Sequence, residues 1–331
     1  MGVSAVLAID AGNSKTDVAL VAADGRLLGR AQGPGFRPMG EGGAPESVEA
    51  LAPIVAEAVA DCATAGRPVA ALVSAYLANV DLPEEEAEAH ALLAARGWGT
   101  ETVVGNDTLA LLRAGTDRPE GVAVVCGAGV NAVGLRADGA VARFPSLGEL
   151  TGDWGGGGGL GTRAMFHAVR GEDGRGPRTA LSAAIAAWFG TATAQEAAIG
   201  VHLGRLPRER LWRFSPELFR AAEAGDAVAG ELVAHQAREV VAMALSCLRR
   251  LSLVEREVVV VLGGGVLAAG HPLLLGPVRA ALAAEAPRAV LRMADTAPVV
   301  GAALLGLDRL GATPAAEASL RAEWRRAAAH A

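Results

Sequence analysis

Lys15 is the only lysine among the 30 lysine and arginine residues of this 331-residue chain. It lies in the segment Asp10-Ala-Gly-Asn-Ser-Lys-Thr16, a turn of small residues between two apolar runs. An ammonium is a compact point charge that can reach a phosphate through a tight loop, whereas a guanidinium is a broad planar fork. A phosphate-binding lysine is one interpretation. A surface lysine left over in an arginine-rich composition is the other.

Two further turns rich in glycine follow apolar strands, at Gly127-Ala-Gly129 and Gly263-Gly-Gly265. In the first of these, as in the turn before Lys15, small residues let backbone N–H groups converge on phosphate oxygens. A Walker A loop requires glycine immediately before its lysine, and this chain has Ser14 there, so that motif is absent.

A dinucleotide fold is an alternative, because residues 127–132 fit the pattern G-x-G-x-x-A directly after a strand. The next segment, Ala132 to Arg136, reads as a strand that turns at Asp138-Gly139, whereas the dinucleotide fingerprint must open a helix. The run Gly156 to Gly161 fits a similar pattern, but a glycine run fits almost any such pattern. The dinucleotide interpretation is therefore disfavoured.

Three aspartates could carry chemistry. Asp10 ends a buried strand before the lysine turn, where a carboxylate can hold Mg²⁺ directly or through water, or can form an Asx turn. Asp107 follows a strand end, so it is either a helix N-cap or a carboxylate aimed into a cleft; taken alone, the cap is favoured. Asp153, close to a predicted helix start, has the same two interpretations.

Other site classes lack their motifs. None of the histidines forms H-E-x-x-H, and G-x-S-x-G is absent. The three cysteines lie far apart, which argues against a disulfide framework or structural zinc. With 51% hydrophobic and 20% charged residues and a net charge of −6, the chain reads as globular, with neither nucleic acid nor a membrane as partner. The N-terminus has no signal-peptide pattern and no apolar run spans a bilayer, so we expect a cytoplasmic protein.

The coarse organisation is α/β. Hydrophobic patterning, Asp-Gly turns and proline positions predict the elements of the first 118 residues. They are strands over 3–9, 17–23, 26–32, 69–76 and 101–105, with helices over 46–65 and 83–96.

The strand pattern repeats after a short polar segment. Strands are predicted over 121–126, 131–135 and 141–144, again with an Asp-Gly turn between the second and third. A mostly helical region opening near Thr162 follows, then a strand over 257–262, further helices and a last helix over 315–330. We place the domain boundary between residues 118 and 119, with the last helix able to pack back on the first domain.

The order of the motifs resembles the BadF/BadG/BcrA/BcrD ATPase family, which includes the N-acetylglucosamine kinases, within the sugar kinase, Hsp70 and actin superfamily. Six segments carry the resemblance: residues 9–16, 105–107, 125–129, 152–155, 262–265 and 298–302. The resemblance implies two ribonuclease-H-like (actin-like ATPase) domains with ATP in the cleft between them.

The resemblance also implies roles for the residues, with ATP and Mg²⁺ as cofactors and a small sugar as substrate. Asp107 matches the catalytic base, and Asp10 lies near Mg²⁺. The implied ATP-binding residues are Gly12, Asn13, Ser14, Lys15, Thr16, Gly127, Ala128, Gly263, Gly264 and Gly265. For the sugar, the resemblance implies Asp153 as the residue that binds its hydroxyls. Asn106, Gly129, Trp154 and Arg37 are the further candidate sugar-binding residues.

Two departures from the family pattern bear on the sugar. The loop that usually carries asparagine reads Phe36-Arg-Pro-Met-Gly40, where Arg37 could pair with an anionic group or remain solvated. The usual G-D-E-G-S reads Gly152-Asp-Trp-Gly-Gly156, so Trp154 could stack on a sugar or fill the cleft.

The expected activity is an ATP-dependent kinase of an amino sugar such as N-acetylglucosamine. Alternatives are a kinase for another sugar or a cyclitol, an ATPase that activates a partner enzyme, or a regulatory module without catalysis. The activators of this family bridge a [4Fe–4S] cluster across a dimer; here Cys126 has no second cysteine at a matching motif. A homodimer stays open.

Overall fold

The computed structural model describes residues 5–38, 42–60, 62 and 68–328. Contacts within the chain divide it into two compact units. The first comprises Met1–Ala123, Val133–Pro145 and Arg292–Ala331, and the second comprises Val124–Ala132 and Ser146–Leu291. The boundary placed between residues 118 and 119 stays a prediction. Predicted element ends at residues 3, 65 and 330 lie outside the described residues.

Ten strands form two five-stranded sheets among the described residues. The first sheet has the order β3-β2-β1-β4-β5 and contains β1 (Ala5–Ala11), β2 (Lys15–Ala22), β3 (Leu27–Pro34), β4 (Ala70–Leu77) and β5 (Gly99–Asn106). The second has the order β10-β9-β6-β7-β8 and contains β6 (Gly121–Cys126), β7 (Val130–Leu135), β8 (Val141–Arg143), β9 (Val258–Gly263) and β10 (Ala289–Met293).

The two sheets have the same strand order when the strands of each are numbered along the chain and the second sheet is read from β8. That order is third, second, first, fourth, fifth. In each, the second and third strands meet at an Asp-Gly turn whose glycine has a positive φ, 85° at Gly25 and 88° at Gly139. A left-handed residue in such a turn favours glycine because it has no Cβ. The predicted α/β class and the repeated strand pattern are confirmed.

Helices connect and cover the strands. They are α1 (Gly43–Glu49), α2 (Leu51–Ala58), α3 (Pro83–Ala95), α4 (Asp107–Ala114), α5 (Gly156–Asp173), α6 (Leu181–Phe189), α7 (Ala194–His202), α8 (Ser215–Glu223), α9 (Ala227–Arg250), α10 (Gly265–Ala268), α11 (Pro272–Glu285), α12 (Pro298–Arg309) and α13 (Pro314–Ala328). Short 3₁₀ turns occupy Gly148–Leu150 and Arg208–Arg213. Within the described parts of the chain, no helix has the length and apolar character needed to cross a membrane.

The first sheet is covered on both faces. Strand β1 is buried along its whole length, as expected for a central strand with neighbours on both sides. Alternate residues such as Leu7 and Ile9 join one core with α1, α2 and α3, while Val6 and Ala8 join another with α4 and α12. The helices that pack on both faces of the sheet therefore hold the carboxyl ends of β1, β4 and β5 in place.

Helix α12 packs tightly on α4 through Gly301. A Cβ at Gly301 would lie 1.8 Å from the carbonyl oxygen of Ala110, so only glycine permits this approach. The Ser74 hydroxyl donates to the carbonyl of Ala302 at 2.7 Å and ties α12 to β4. The Pro298–Ala302 motif thus has a packing role within the first unit.

The single helix predicted over 46–65 is wrong. The structure has two helices, α1 and α2, which meet at Ala50, and α2 ends at Ala58. Pro53 lies in the first turn of α2. Its ring clashes with the carbonyl four residues earlier, at Glu49, and it has no N–H to donate, so a continuous helix is interrupted there.

Two other predictions need correction. Strand β10 was missed, because it is a short strand at the sheet edge whose residues are partly buried or exposed. Helix α5 begins at Gly156 rather than near Thr162, so the glycine run lies inside the helix. A Cβ at Gly157 or Gly161 would lie 2.1 Å from a carbonyl oxygen of the 3₁₀ turn Arg208–Arg213. The glycines therefore let that turn pack against the helix.

Candidate active site

The first predicted phosphate turn is shorter than the sequence suggested. Strand β1 ends at Ala11 and β2 begins at Lys15, so the turn itself is Gly12-Asn-Ser14. The N–H of Gly12 donates to the carbonyl of Lys15 at 2.9 Å and closes the turn. Among the described residues, the N–H groups of Asn13 and Ser14 have no hydrogen-bond acceptor. Two such neighbouring donors can bind an anion.

Lys15 and Thr16 lie on β2 rather than in the turn. The Nζ of Lys15 is 2.7 Å from Oδ2 of Asp17, an ion pair rather than an aligned hydrogen bond. The Lys15 side chain is 55% exposed and Asp17 only 10%. Gln32 on β3 donates to the other carboxylate oxygen of Asp17 at 2.7 Å. Thr16 is fully buried, with no partner for its hydroxyl among the described residues, and its ATP role stays a prediction.

Asp10 and Asp107 lie at the same end of the first sheet, at the carboxyl ends of its parallel strands. Asp10 on β1 is level with Tyr76 on β4, which is level with Gly105 on β5, two residues before Asp107. Neighbouring strands are about 4.8 Å apart, so β1 and β5 are separated by roughly 10 Å there. Gly105 leaves room for the Tyr76 ring, because a Cβ would lie 2.9 Å from its Cε1.

Both carboxyl groups are held in an environment that disfavours their charge. Burial raises the pKa of Asp107 to about 6. The pKa of Asp10 lies well above its usual range because of burial first, and then because of the negative charges of Asp107 and Asp17, with Lys15 acting in the opposite direction. Carboxylates perturbed in this way are typical of functional sites.

The cap interpretation of Asp107 is wrong. Helix α4 is capped by Asn106, whose Oδ1 accepts the N–H of Thr108 at 3.1 Å, and Asp107 is the first helical residue. The Asn106 amide also donates to Oδ1 of Asp81 at 2.8 Å. Asn106 is buried and its side chain is engaged within the protein, so its sugar-binding role stays a prediction.

The first turn is supported by residues that sequence reasoning missed. Asn79, after β4, donates its side-chain amide to Oδ1 of Asn13 at 2.8 Å. Its backbone is left-handed, with φ 58°, which is uncommon for a residue other than glycine. Asn79, Asp17 and Asp81 carried no recognised motif, although Asp17 stands two residues from the only lysine.

The loop after β3 lies against the same turn. The N–H of Phe36 donates to the carbonyl of Gly12 at 2.9 Å, and Arg37 Nε donates to the carbonyl of Asn13 at 3.3 Å. Arg37 therefore supports the turn, and its pairing with a substrate stays a prediction. The remainder of this loop, Met39 and Gly40, lies outside the described residues.

The second unit holds the other two turns, and they lie side by side. The N–H of Gly127 donates to the carbonyl of Gly129 at 2.9 Å, and no described residue accepts from the N–H groups of Ala128 or Gly129. Gly264 follows β9 with φ 86°, and a Cβ there would lie 2.5 Å from the backbone of Cys126. Glycine is required at this position for both its conformation and this approach.

The Gly152–Gly156 segment follows the 3₁₀ turn Gly148–Leu150 and ends at the first residue of α5. Asp153 accepts a hydrogen bond from the Thr151 hydroxyl, and its own N–H donates to the carbonyl of Gly148 at 2.9 Å. Trp154 stacks on His235 of α9, with ring centroids 4.3 Å apart and planes within 10°. One face of the Trp154 ring is thus covered by protein.

These residues fit the groups that the resemblance implies. Unpaired turn N–H groups and one ammonium suit phosphates. For Mg²⁺, the buried carboxyl of Asp10 is a suitable oxygen donor. The described residues hold no group of three or more His, Cys, Asp or Glu able to bind a metal ion by themselves. Phosphate oxygens and water would have to supply the other ligands, which is usual for Mg²⁺.

Comparison with known proteins decides the family. The sequence profile of the BadF/BadG/BcrA/BcrD ATPase family matches residues 7–306. The chain belongs to this family. The predicted resemblance is confirmed, and ATP use follows from membership.

Two characterised relatives of this family member are named as amino sugar kinases. N-acetyl-D-glucosamine kinase of Dictyostelium discoideum is 24% identical over 318 residues, covering 91% of this chain and 97% of that protein. N-acetylmuramic acid/N-acetylglucosamine kinase of Clostridium acetobutylicum is 24% identical over 190 residues, covering 57% of this chain and 62% of that protein.

Solved structures share the fold. A Chromobacterium violaceum protein whose assigned name is N-acetylglucosamine kinase has a TM-score of 0.73 at 23% identity, covering 92% of this chain and 99% of that one. A ROK family glucokinase from Streptomyces griseus, in complex with glucose and AMPPNP, has a TM-score of 0.54 at 19% identity, covering 91% and 99%. The predicted sugar-kinase fold is confirmed.

Proposed function

We propose that this protein is an ATP-dependent kinase that transfers the γ-phosphate to a hydroxyl of an amino sugar, N-acetylglucosamine or a close relative. The observation that carries the proposal is the position of Asp107, whose pKa is raised to about 6. It lies at the same end of the first sheet as Asp10 and the lysine turn. The names of the two relatives and of the fold neighbours support this substrate class.

Asp107 is the general base in this proposal. It accepts the proton of the attacking hydroxyl, and a pKa near 6 makes it a stronger base than an ordinary aspartate while it remains ionised at pH 7. Because Asn106 caps the helix, the Asp107 carboxylate is free of that task. Phosphoryl transfer has a loose transition state, so the position of the base matters more than its strength.

The charge on the phosphates is offset by the first turn and by Lys15. The N–H groups of Asn13 and Ser14 bind phosphate oxygens, and Lys15, the residue directly after this turn, adds an ammonium that is about half exposed. In the second unit, the N–H groups of Ala128 and Gly129 serve the same purpose. When bound, Mg²⁺ would supply further positive charge, and Asp10 is the residue that would hold it.

The sugar is bound by the segment that contains Asp153 and Trp154. Asp153 accepts hydrogen bonds from sugar hydroxyls, and the face of Trp154 that is not covered by His235 packs on the apolar side of the ring. The sugar-binding roles of Gly129, Asn106 and Arg37 stay predictions. The homodimer and the absence of nucleic acid and membrane partners stay predictions.

The test is ADP release by the purified protein with ATP, Mg²⁺ and one acceptor at a time. The panel contains N-acetylglucosamine, N-acetylmannosamine, glucosamine, glucose and inositol, with Asp107→Asn as the matched inactive control. We expect ADP release that depends on an amino sugar and is lost in Asp107→Asn. Hydrolysis that no acceptor stimulates, with iron in the protein, would instead support an activator ATPase. Preference for glucose or inositol would contradict the amino sugar.

A further inference from the structure

Gln236 is a fully buried polar side chain in the middle of α9, outside every motif recognised in the sequence. Its Oε1 accepts the N–H of Gly156 at 2.8 Å, across 80 positions of sequence. Its Nε2 is buried and has no hydrogen-bond partner among the described residues. A buried amide with one unpaired donor is costly, so an apolar residue would be the simpler choice for stability alone.

The contact is specific to the glycines at the start of α5. Gly155 has φ 140°, and a Cβ there would lie 2.5 Å from Oε1 and 2.6 Å from Nε2 of Gln236. The amide therefore lies flat against the Gly155 backbone. The neighbouring residue on α9, His235, stacks on Trp154. Two consecutive residues of α9 thus hold three consecutive residues of the candidate sugar segment.

The same helix start is bound to the second phosphate turn. The N–H of Gly157 donates to the carbonyl of Gly127 at 2.7 Å, and the N–H of Gly158 donates to the carbonyl of Ala128 at 2.8 Å. A Cβ at Gly156 would lie 2.4 Å from the carbonyl oxygen of Gly129. The first turn of α5 is therefore joined on one side to the phosphate turn and on the other, through Gln236, to α9.

We propose that Gln236 is a positioning residue that couples the Asp153–Gly156 sugar segment to the Gly127–Gly129 phosphate turn. This inference rests on the proposed function. Through its bond to Gly156, Gln236 fixes the position of the first turn of α5. A shift of the sugar segment is then transmitted to the carbonyls of the phosphate turn, and the sugar and the nucleotide favour each other's binding.

The test measures nucleotide affinity with and without saturating acceptor in the wild type and in Gln236→Met, which keeps the side-chain length and removes the acceptor oxygen. Gly155→Ala displaces the same amide from the other side, and Gln195→Met is the control because Gln195 is exposed on α7. We expect the acceptor to strengthen nucleotide binding at least fivefold in the wild type and the control. In both test variants this factor should fall to about one.

A lower melting temperature with an unchanged coupling factor would overturn the inference, because it would show a purely structural role. If Gln236→Met does not fold, Gly155→Ala decides alone. A wild-type protein without acceptor-dependent turnover would refute the proposed function itself. An active wild type whose coupling persists in both variants would refute only the role of Gln236.

Discussion

Asn106 caps helix α4 by accepting the N–H of Thr108 at 3.1 Å, and this leaves the next residue, Asp107, as the first residue of the helix with its carboxylate unused by the cap. Burial raises the pKa of Asp107 to about 6 and outweighs the backbone N–H groups of Thr108 and of Asp107 itself, which act in the opposite direction. The order Asn-Asp therefore assigns the cap to Asn106 and leaves Asp107 available as the proposed base.

Asp107→Asn should remove turnover and retain ATP binding. We expect kcat to fall by at least about a thousandfold, while the affinity for ATP changes less than threefold. In the wild type, kcat should rise with pH through about 6 as Asp107 loses its proton. Steady-state kinetics between pH 5 and 8 and nucleotide titration check both statements. Turnover near the wild-type value would exclude Asp107 as the base.

The same variant should be more stable than the wild type at neutral pH. The folded-state pKa of Asp107 lies above the unfolded value, so its contribution to stability is present below about pH 4 and is lost as pH rises through about 6. At pH 7.5 we expect Asp107→Asn to raise the free energy of unfolding by about 1–3 kcal/mol, and to have little effect at pH 4. Urea unfolding at the two pH values tests this.

Lys15 can be modified selectively because it is the only lysine. Acetylation removes its charge and reductive methylation keeps it. If the ammonium binds phosphate, acetylation should raise the KM for ATP at least about tenfold, methylation should have a small effect, and ATP should protect Lys15 from either reagent. Peptide mass spectrometry separates Lys15 from the N-terminal amine. An unchanged KM after complete acetylation would contradict the assignment.

Asn79 offers a matched pair of variants. Asn79→Gly removes the hydrogen bond to Asn13 but suits the left-handed backbone at φ 58°. Asn79→Ala removes the same bond and also adds about 1 kcal/mol of backbone strain. Both should raise the KM for ATP, because Asn13 loses its support, whereas only the alanine variant should also melt several degrees lower. Equal melting temperatures of the glycine and alanine variants would contradict the expected strain, because they would show that the backbone at position 79 relaxes.

Arg113 should be the residue of α4 on which stability depends most. It is buried and donates to Asp308 at 2.8 Å, to Glu317 at 2.7 Å and to the carbonyl of Thr116 at 2.8 Å, which ties α4 to α12 and α13. Arg113→Leu should lower the free energy of unfolding by about 2–4 kcal/mol, since both carboxylates lose a partner but keep part of their hydration.

The control for this prediction is the exposed ion pair between Arg309 and Glu101. Arg309→Leu should change stability by less than about 1 kcal/mol, as is usual for a surface pair. Chemical denaturation of both variants gives the comparison. Similar losses in the two would show that burial does not decide the strength of the Arg113 network.

Removal of divalent cations should stop turnover without unfolding the protein. Excess EDTA is expected to abolish acceptor-dependent ADP release and to leave the melting temperature within about 2 °C, because the described residues contain no group of three His, Cys, Asp or Glu that could hold a structural metal. Asp10→Asn should raise the Mg²⁺ concentration needed for half-maximal rate at least about fivefold. A variant with the wild-type Mg²⁺ requirement would exclude Asp10 as the ligand.

Much of the fold could be predicted because local signals agreed with each other. Buried strands, two Asp-Gly turns and small-residue turns after strands indicated the α/β class and its repeat, and the order of motifs indicated the family. The predictions that failed concern helices α1, α2 and α5, where two local signals conflict with each other. Pro53 divides a pattern that otherwise favours one helix, and the glycines of α5 lower its helix propensity although the neighbouring 3₁₀ turn requires them.

The sequence by itself determined the family, the reaction class and which residues could do chemistry, since these depend on residue types and their order. It left Asp107 as either cap or base, and it gave Asp17, Asn79 and Gln236 no role. Only the tertiary structure assigned the cap to Asn106 and showed which groups Asp17, Asn79 and Gln236 contact, while Asp107 as the base stays a prediction. Burial and hydrogen-bond partners come from segments that are far apart in the chain, such as Gly156 and Gln236, which are 80 positions apart, and the chemistry of a carboxyl or an amide depends on those neighbours.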